Sequence, residues 1–117
     1  MEAKRNRPQR LNNPHNLRYA GQREAIGADK DEFAIFPTAE AGARAGLKEI
    51  ELACKRGQTI FEFITEQAPP SENLTEKYIK FICDELRVGQ FFLVSELSHY
   101  ALWGVIAKYE GWFDKNI

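Results

Sequence analysis

Capping residues and helix breakers divide residues 38–110 into four segments, each with the apolar spacing of a helix. Thr38 is a capping residue, and the helix after it is predicted to end at about Arg56. Thr59 and Glu62 form the capping box that begins the second helix. This punctuation restricts the chain to a fold in which helices pack on one another through their apolar faces.

The second half of this region predicts two further helices. The Pro-Pro pair at 69–70 cannot donate backbone hydrogen bonds, and Asn73 is the predicted cap of the third helix, which Gly89 ends. Ser95 is the predicted start of the fourth helix, which runs to Glu110. Apolar residues occur on almost every side of this last helix, so we expect it to be central and buried.

The segment before Pro37 has a different character. Residues 33–36, FAIF, form a short apolar run that predicts a strand, and residues 17–20 predict a second extended piece that can pair with it as a small hairpin. The segment 25–32 between them is predicted as a loop. The sequence thus predicts an α+β, mostly α domain over residues 11–117, preceded by an irregular basic arm at 1–10.

Charge is distributed unevenly along the 117 residues, although the net charge is only −1. The first 23 residues contain six basic side chains and one acidic one: Lys4, Arg5, Arg7, Arg10, Arg18 and Arg23 against Glu2. Two interpretations of this basic segment stay open. It is a solvated terminal arm, or it contacts an anionic polymer such as nucleic acid or cell-wall glycan.

Several classes of protein are disfavoured by the residues themselves. Cys54 and Cys83 lie in predicted helices among apolar neighbours, which favours reduced core cysteines over a disulfide framework. His15 and His99 lack metal-ligand spacing, so no metal or cofactor is predicted. No apolar run has transmembrane length and the N-terminus has no signal-peptide pattern, so we expect synthesis in the cytoplasm without membrane insertion.

Glu110 is the residue that most suggests chemistry. It ends the predicted buried helix, where the last carbonyl groups carry partial negative charge. Its neighbours Trp103, Tyr109 and Trp112 can withhold solvent, and both effects raise the pKa of a carboxyl group. A carboxylic acid that stays protonated near neutral pH can act as the general acid in glycoside cleavage. The alternative is an ordinary solvated helix end.

Three stretches carry a family resemblance: RLNNPHNLRYAGQ, FAIFPTAEAGARAGL and RGQTIFEFITEQAPPSENLTEKYI. In this order they resemble a pattern of phage and prophage proteins, N-N-P-G-N-[LI]-R followed by A-P-P-x-E-N-x-T-x-x-Y, described as structural or lysozyme-like proteins. The resemblance covers about residues 9–82 and implies a lysozyme-like domain that acts on peptidoglycan. His15 departs from it, because the family has glycine at this position.

The order of the motifs is similar to that of lytic transglycosylases and bacterial glucosaminidases, with one difference. In those enzymes the helix with the catalytic glutamate precedes the Asn-containing hairpin, whereas here IAKYEGWF stands at the end of the chain. The chain therefore resembles a circular permutation, with its catalytic helix at the C-terminus. If so, Glu110 lies close to Tyr78 and to residues 12–22, and the two chain ends are neighbours.

The resemblance implies a function and a set of residues. It implies that Glu110 is catalytic, and that the substrate-binding residues are Tyr78, Asn73, Asn13, Asn16, Tyr19 and Gln22. The implied partner is the peptidoglycan glycan strand, with other virion proteins as further partners, and the implied place of action is the periplasm or a virion. Hydrolase and lytic transglycosylase both fit a single glutamate. A catalytically inactive virion or glycan-binding protein, and a small protein that uses its basic arm on nucleic acid, remain alternatives.

Overall fold

The computed structural model describes residues 5–68 and 71–114, and this part is an α+β, mostly α domain, as predicted. Its helices and strands, in chain order, are α1 Arg7–Arg10, β1 Gly27–Ala28, β2 Ala34–Ile35, α2 Ala39–Lys55, α3 Ile60–Gln67, α4 Glu72–Leu86 and α5 His99–Glu110. No helix in the described ranges is long and apolar enough to cross a membrane.

The first two capping predictions are confirmed. The Thr38 hydroxyl accepts a hydrogen bond of 3.1 Å from the Ala41 amide at the start of α2. The Thr59 hydroxyl accepts from the amide of Glu62, whose carboxylate in turn accepts from the Thr59 amide, so α3 begins with a complete capping box. Each cap depends only on residues within the first turn of its helix, and both helix starts could therefore be predicted from the sequence.

The predicted ends of α4 are wrong by a few residues. Ser71, not Asn73, occupies its N-cap position, and no side-chain hydrogen bond forms there. The helix ends at Leu86 rather than at Gly89, because Arg87 adopts a left-handed conformation with φ of 57°. Such a conformation terminates a helix and is usually left to glycine.

The predicted start of α5 is also wrong. Ser95 lies in a 3₁₀ turn, Val94–Glu96, and the helix begins after Ser98 instead. The Ser98 hydroxyl accepts a hydrogen bond of 3.2 Å from the Ala101 amide, so the second serine is the cap. The helix is only partly enclosed, since Leu102 and Ile106 are buried but Tyr100 is exposed.

The small sheet differs from the predicted hairpin. β1 lies inside the segment predicted as a loop, and it pairs antiparallel with β2 through Gly27 opposite Ile35. The predicted partner at 17–20 contributes one antiparallel bridge between Arg18 and Phe33. The predicted strand at 33–36 thus has a neighbouring segment on each side. One of these segments, β1, has only two residues, which is too short to show a strand pattern in the sequence.

The described part of the basic N-terminal segment is not a free arm. Asn6 caps α1, and its side-chain amide donates a hydrogen bond of 2.7 Å to the Gly111 carbonyl. The side-chain amide of Gln9 donates to the Trp112 carbonyl. Arg7 forms an ion pair of 3.2 Å with Asp31. The N-cap of α1 and a residue within it therefore contact the segment after α5, in agreement with the predicted proximity of these two segments. Residues 1–4 lie outside the described part.

The apolar side chains form two clusters of unequal size. The larger lies between the four long helices and includes Ile50, Ile64, Ile82 and Leu102, each with no measurable exposure. The smaller consists of Ala34, Phe36 and Ala41 beneath the hairpin. The hairpin thus has its own contact with the N-terminal end of α2, separate from the main core.

The loop 12–16 packs so closely against two glycines of α2 that a side chain at either position would clash with it. A Cβ atom on Gly42 would lie 1.8 Å from the Asn12 carbonyl oxygen, and one on Gly46 would lie 2.6 Å from Nδ1 of His15. Distances this short are not tolerated between non-bonded atoms, so only glycine fits. The two glycines are one turn apart and form the groove in which the loop lies.

His15 links this loop to α5. Its imidazole is buried, its Nε2 lies 3.0 Å from the Trp103 carbonyl oxygen, and its ring packs on the Trp103 indole. Trp103 in turn donates from Nε1 to the Ala43 carbonyl of α2 at 3.1 Å. Burial lowers the pKa of His15 to about 4, so it is neutral in the folded protein.

We expect the Gly42→Ala variant to lose at least about 2 kcal/mol of unfolding free energy, because backbone must move to admit the new methyl group. Gly104→Ala is the matched control, since Gly104 lies in α5 with nothing within 4 Å of its Cβ position. That control should be neutral or up to about 1 kcal/mol more stable. Urea unfolding measures both, and equal effects would contradict the packing described here.

We expect the buried neutral His15 to make the protein sensitive to acid. Its stabilising contribution is fully present above the unfolded pKa of 6.5 and is lost as pH falls through the folded pKa of about 4, because the unfolded chain binds the proton first. The loss should be on the order of 3 kcal/mol. His15→Gln should flatten this part of the pH–stability curve, whereas the control His99→Gln should keep it. An unchanged curve in His15→Gln would refute the assignment.

Candidate functional site

Glu110 is the last residue of α5, and its carboxyl group is largely buried. Gly111 follows in a left-handed conformation with φ of 92°, which stops the helix at this point. The helix packs against α2 and α4, so its C-terminal end is held beside the middle of α4. The fold thus places one carboxyl group at the mouth of a cleft.

Two side chains from distant parts of the chain meet Glu110. The side chains of Tyr78 from α4 and Asn16 from the loop 12–16 both lie beside its carboxyl group, and each can donate a hydrogen bond to it. The predicted proximity of Glu110 to Tyr78 and to residues 12–22 is therefore confirmed. Asn16 reaches this position with a left-handed backbone, φ of 54°, which asparagine adopts more readily than most residues.

Burial is the largest influence on the acidity of Glu110. It raises the pKa of the carboxyl group because the charged form loses solvent, while the hydrogen bonds from Tyr78 and Asn16 lower it in part. The net pKa stays above the usual 4.5. Burial, and then the Glu110 charge, raise the pKa of Tyr78 well above 10, so its hydroxyl remains a donor. Glu110 thus combines a raised pKa with two neighbouring donors that can stabilise its charged form.

An aromatic stack supports this arrangement from behind. The Tyr78 and Tyr109 rings lie 4.0 Å apart at 20°, and Phe81 contacts Tyr109 at 5.2 Å. Tyr78 is only 3% exposed, so its hydroxyl has little freedom to leave Glu110. Stacked rings of this kind fix orientation better than aliphatic contacts do.

The cleft in front of Glu110 has a volume of about 320 Å³. Its other lining residues include Arg7, Arg18, Phe33 and Gln67. Glu110 is the only carboxylate that lines this cleft within residues 5–68 and 71–114. No group of three histidine, cysteine, aspartate or glutamate side chains in the same ranges could hold a metal ion.

The cleft continues into two further hollows on one side. Asn16, Arg18 and Gln67 also line a hollow of about 200 Å³, which shares Gln22 and Glu49 with a third hollow, of about 460 Å³. The third hollow lies away from Glu110, and the three hollows together are called the groove. Each of them is lined by residues of the segment 16–24, so the groove follows this segment.

The other predicted substrate-binding residues lie in different positions relative to the cleft. Asn13 is fully buried, and its side chain is used by hydrogen bonds with Leu17 and the Ala34 carbonyl, so it cannot touch a substrate. It holds the loop from which Asn16 projects. Gln22 lines the outer hollows, although its amide is engaged by the Arg18 carbonyl and the Ala20 amide.

Tyr19 and Asn73 do not belong to the cleft. Tyr19 is 47% exposed and Asn73 is exposed in the first turn of α4, and neither lines any of the hollows that form the groove. The next residue of α4, Leu74, lines the cleft instead. In an α-helix, neighbouring positions point in directions about 100° apart, so only one of these two residues can face Glu110.

The sequence interpretation missed Arg7, Arg18, Phe33 and Gln67. Arg18 had a usable signal, since alternation in an extended segment places it opposite the buried Leu17. Phe33 belongs to the predicted strand 33–36, whose apolar run does not indicate a side chain at the cleft. Arg7 belongs to the predicted basic arm, and its ion pair with Asp31 joins residues that are 24 positions apart in the sequence.

No family model and no curated protein sequence matches this chain. The chemistry of the cleft must therefore carry the functional conclusion. That chemistry is one carboxyl group with a raised pKa, two donors beside it and a groove leading away from it.

We expect Glu110→Gln to be more stable than the wild type at pH 7. The raised pKa means that ionising Glu110 costs folding free energy as pH rises from about 4.5 through the folded pKa, and glutamine carries no such cost. The difference in melting temperature should shrink as pH falls to 4 and below, because the Glu110 carboxyl group then becomes protonated in both the folded and the unfolded wild type. Glu76→Gln, an exposed change on α4, is the control. Equal behaviour of the two variants would show that Glu110 is not strained by burial.

Proposed function

We propose that this protein cleaves the β-1,4 glycosidic bonds of peptidoglycan, with Glu110 as the general acid. The observation that carries the proposal is the buried Glu110 carboxyl group with its raised pKa, held by Tyr78 and Asn16 at the head of a groove. A general acid must hold its proton near neutral pH and release it in the transition state. The resemblance of residues 9–82 to phage lysozyme-like proteins supports the choice of glycan, and we propose the periplasm or a virion as the place of action.

The proposed reaction begins with proton transfer. The Glu110 carboxyl group donates its proton to the glycosidic oxygen, the bond from that oxygen to the anomeric carbon breaks, and the leaving sugar departs as an alcohol. The Tyr78 hydroxyl and the Asn16 amide donate hydrogen bonds to the carboxylate that forms. These donors favour the charged product over the neutral acid, which lowers the barrier to proton release.

The second half of the reaction needs a nucleophile. Glu110 is the only carboxylate lining the cleft in the described residues, and the next ones along the groove, Glu49 and Glu66, line the adjoining hollow instead. The cleft itself thus offers no second carboxylate to activate water or attack the sugar. The substrate itself can supply the nucleophile. Its 6-hydroxyl attacks the anomeric carbon and gives its proton to the Glu110 carboxylate, forming a 1,6-anhydro sugar, or its acetamido oxygen attacks and water then opens the ring.

Asn16 offers a further contact for an acetamido sugar. Its Oδ1 atom is buried and has no hydrogen-bond partner among the described residues. An unpaired buried acceptor costs about 1–3 kcal/mol, and a ligand donor that reaches it recovers this cost. The acetamido N–H group, present on every sugar of peptidoglycan, is a donor of the required kind.

Digestion of purified peptidoglycan tests the proposal. The wild type should release muropeptides, and Glu110→Gln should reduce the rate at least about 100-fold, because it cannot donate a carboxyl proton. Glu76→Gln should retain the wild-type rate. Mass spectrometry of the products distinguishes 1,6-anhydro ends from reducing ends, which separates a transglycosylase from a hydrolase.

Two outcomes would contradict the proposal. A Glu110→Gln variant with the wild-type rate would remove Glu110 from the reaction. A folded wild type that releases nothing from the walls of several bacterial species would leave a glycan-binding or virion protein in place of an enzyme.

A further inference from the structure

Arg18 lines the cleft, and no charged side chain within residues 5–68 and 71–114 pairs with it. It lines both the cleft of Glu110 and the adjoining hollow, and its guanidinium lies 4.8 Å from the centre of the Phe33 ring. No side-chain hydrogen bond or ion pair to Arg18 occurs within the described part of the chain. A guanidinium in this position presents its N–H edges to whatever occupies the groove.

Arg7 provides an internal comparison. Its guanidinium also stacks on Phe33, at 4.1 Å, but its charge is matched by Asp31 at 3.2 Å and by Asp29 at 3.8 Å. The Asp29 carboxylate is in turn held by the Phe33 amide, which is the main reason for its lowered pKa. Of two arginines on one aromatic ring, one is neutralised by the protein and the other is left for a ligand.

Backbone contacts of Arg18 bring its charge to the Phe33 ring. Its backbone pairs with Phe33 in the antiparallel bridge, and its carbonyl accepts a hydrogen bond of 2.7 Å from the Gln22 amide. These contacts hold the backbone of Arg18, and its exposed side chain extends over the Phe33 ring, where the guanidinium is accessible to an anion. A planar guanidinium forms two parallel hydrogen bonds with a carboxylate, a geometry that ammonium groups cannot reproduce.

We propose that Arg18 binds a carboxylate carried by the glycan, so that the cleft selects acidic, peptidoglycan-type strands over neutral polymers of N-acetylglucosamine. This inference rests on the proposed function, since it names the feature of the glycan that the cleft recognises. Peptidoglycan has two sources of such a carboxylate. One is the lactyl group of a muramic acid without peptide, and the other is the peptide stem.

Binding measurements test this inference separately from cleavage. The protein is Glu110→Gln, which leaves the substrate intact, titrated calorimetrically with three tetrasaccharides. These are neutral chitotetraose, a peptide-free muramyl fragment with lactyl carboxylates, and a peptide-bearing fragment whose lactyl groups are amidated. At least one acidic fragment should bind roughly fivefold more tightly than chitotetraose, the upper range for a partly exposed ion pair. The fragment that gains affinity identifies the source of the carboxylate.

Arg18 variants in the same background give the decisive comparison. Arg18→Gln should remove the preference for acidic fragments while leaving chitotetraose affinity nearly unchanged, and Arg18→Glu should reverse the preference. Lys55→Gln removes one charge at the exposed end of α2, away from the groove, and should keep the preference. The preference should also weaken as salt is raised, because a partly exposed ion pair is screened.

The inference is overturned if all three fragments bind Glu110→Gln equally, if none binds, or if Arg18→Gln weakens all three to the same extent. Cleavage by the wild type is scored on its own. A wild type that cleaves nothing but prefers acidic fragments through Arg18 would refute the proposed function and retain the anion site. A wild type that cleaves acidic and neutral glycans equally would refute the anion site and retain the function.

Discussion

The close packing of the loop 12–16 on α2 is the contact on which the candidate site depends. Gly42 and Gly46 leave a groove so narrow that backbone atoms of Asn12 and the imidazole of His15 fill it. Asn13 then closes the loop through three hydrogen bonds made by its buried amide. Because both ends of this short loop are fixed, the residues between and after them have few alternative positions.

Asn16 and Arg18 are the residues positioned in this way. Asn16 turns its side chain to Glu110, and Arg18 turns its guanidinium to the Phe33 ring. Neither belongs to a long regular element, although a catalytic group held loosely by even about 1 Å loses much of its effect. The loop packs tightly against the rigid helix α2, and it is therefore held in place although it is not itself part of a strand or helix. The cost is two helical glycines, which are poor helix formers and are retained here for their lack of volume.

Much of the fold could be predicted because its signals are local. Thr38 and Thr59 each determine a helix start within one turn of chain, and the structure agrees. Prediction failed where two candidates compete within three residues, as with Ser95 and Ser98, because packing decides which serine caps the helix. The residues of the site also differ in whether a local pattern indicates them. Glu110 was predicted from its place at a helix end, whereas Arg7 needed a contact with Asp31 that no local pattern contains.

The proposed role of Glu110, on a helix that follows the loop 12–16 in the chain, raises a topological requirement. If the chain is a permuted relative of enzymes whose glutamate helix comes first, the segment after Glu110 must lie beside the segment before the loop 12–16. Asn6 donates a hydrogen bond to the Gly111 carbonyl, and Gln9 donates to the Trp112 carbonyl, so the two segments are in contact. These side-chain hydrogen bonds connect α1 to the turn that ends α5 across more than 100 residues of sequence. They hold the end of α5, and with it Glu110, against the segment before the loop 12–16, so the position of Glu110 does not require a direct backbone connection to that loop.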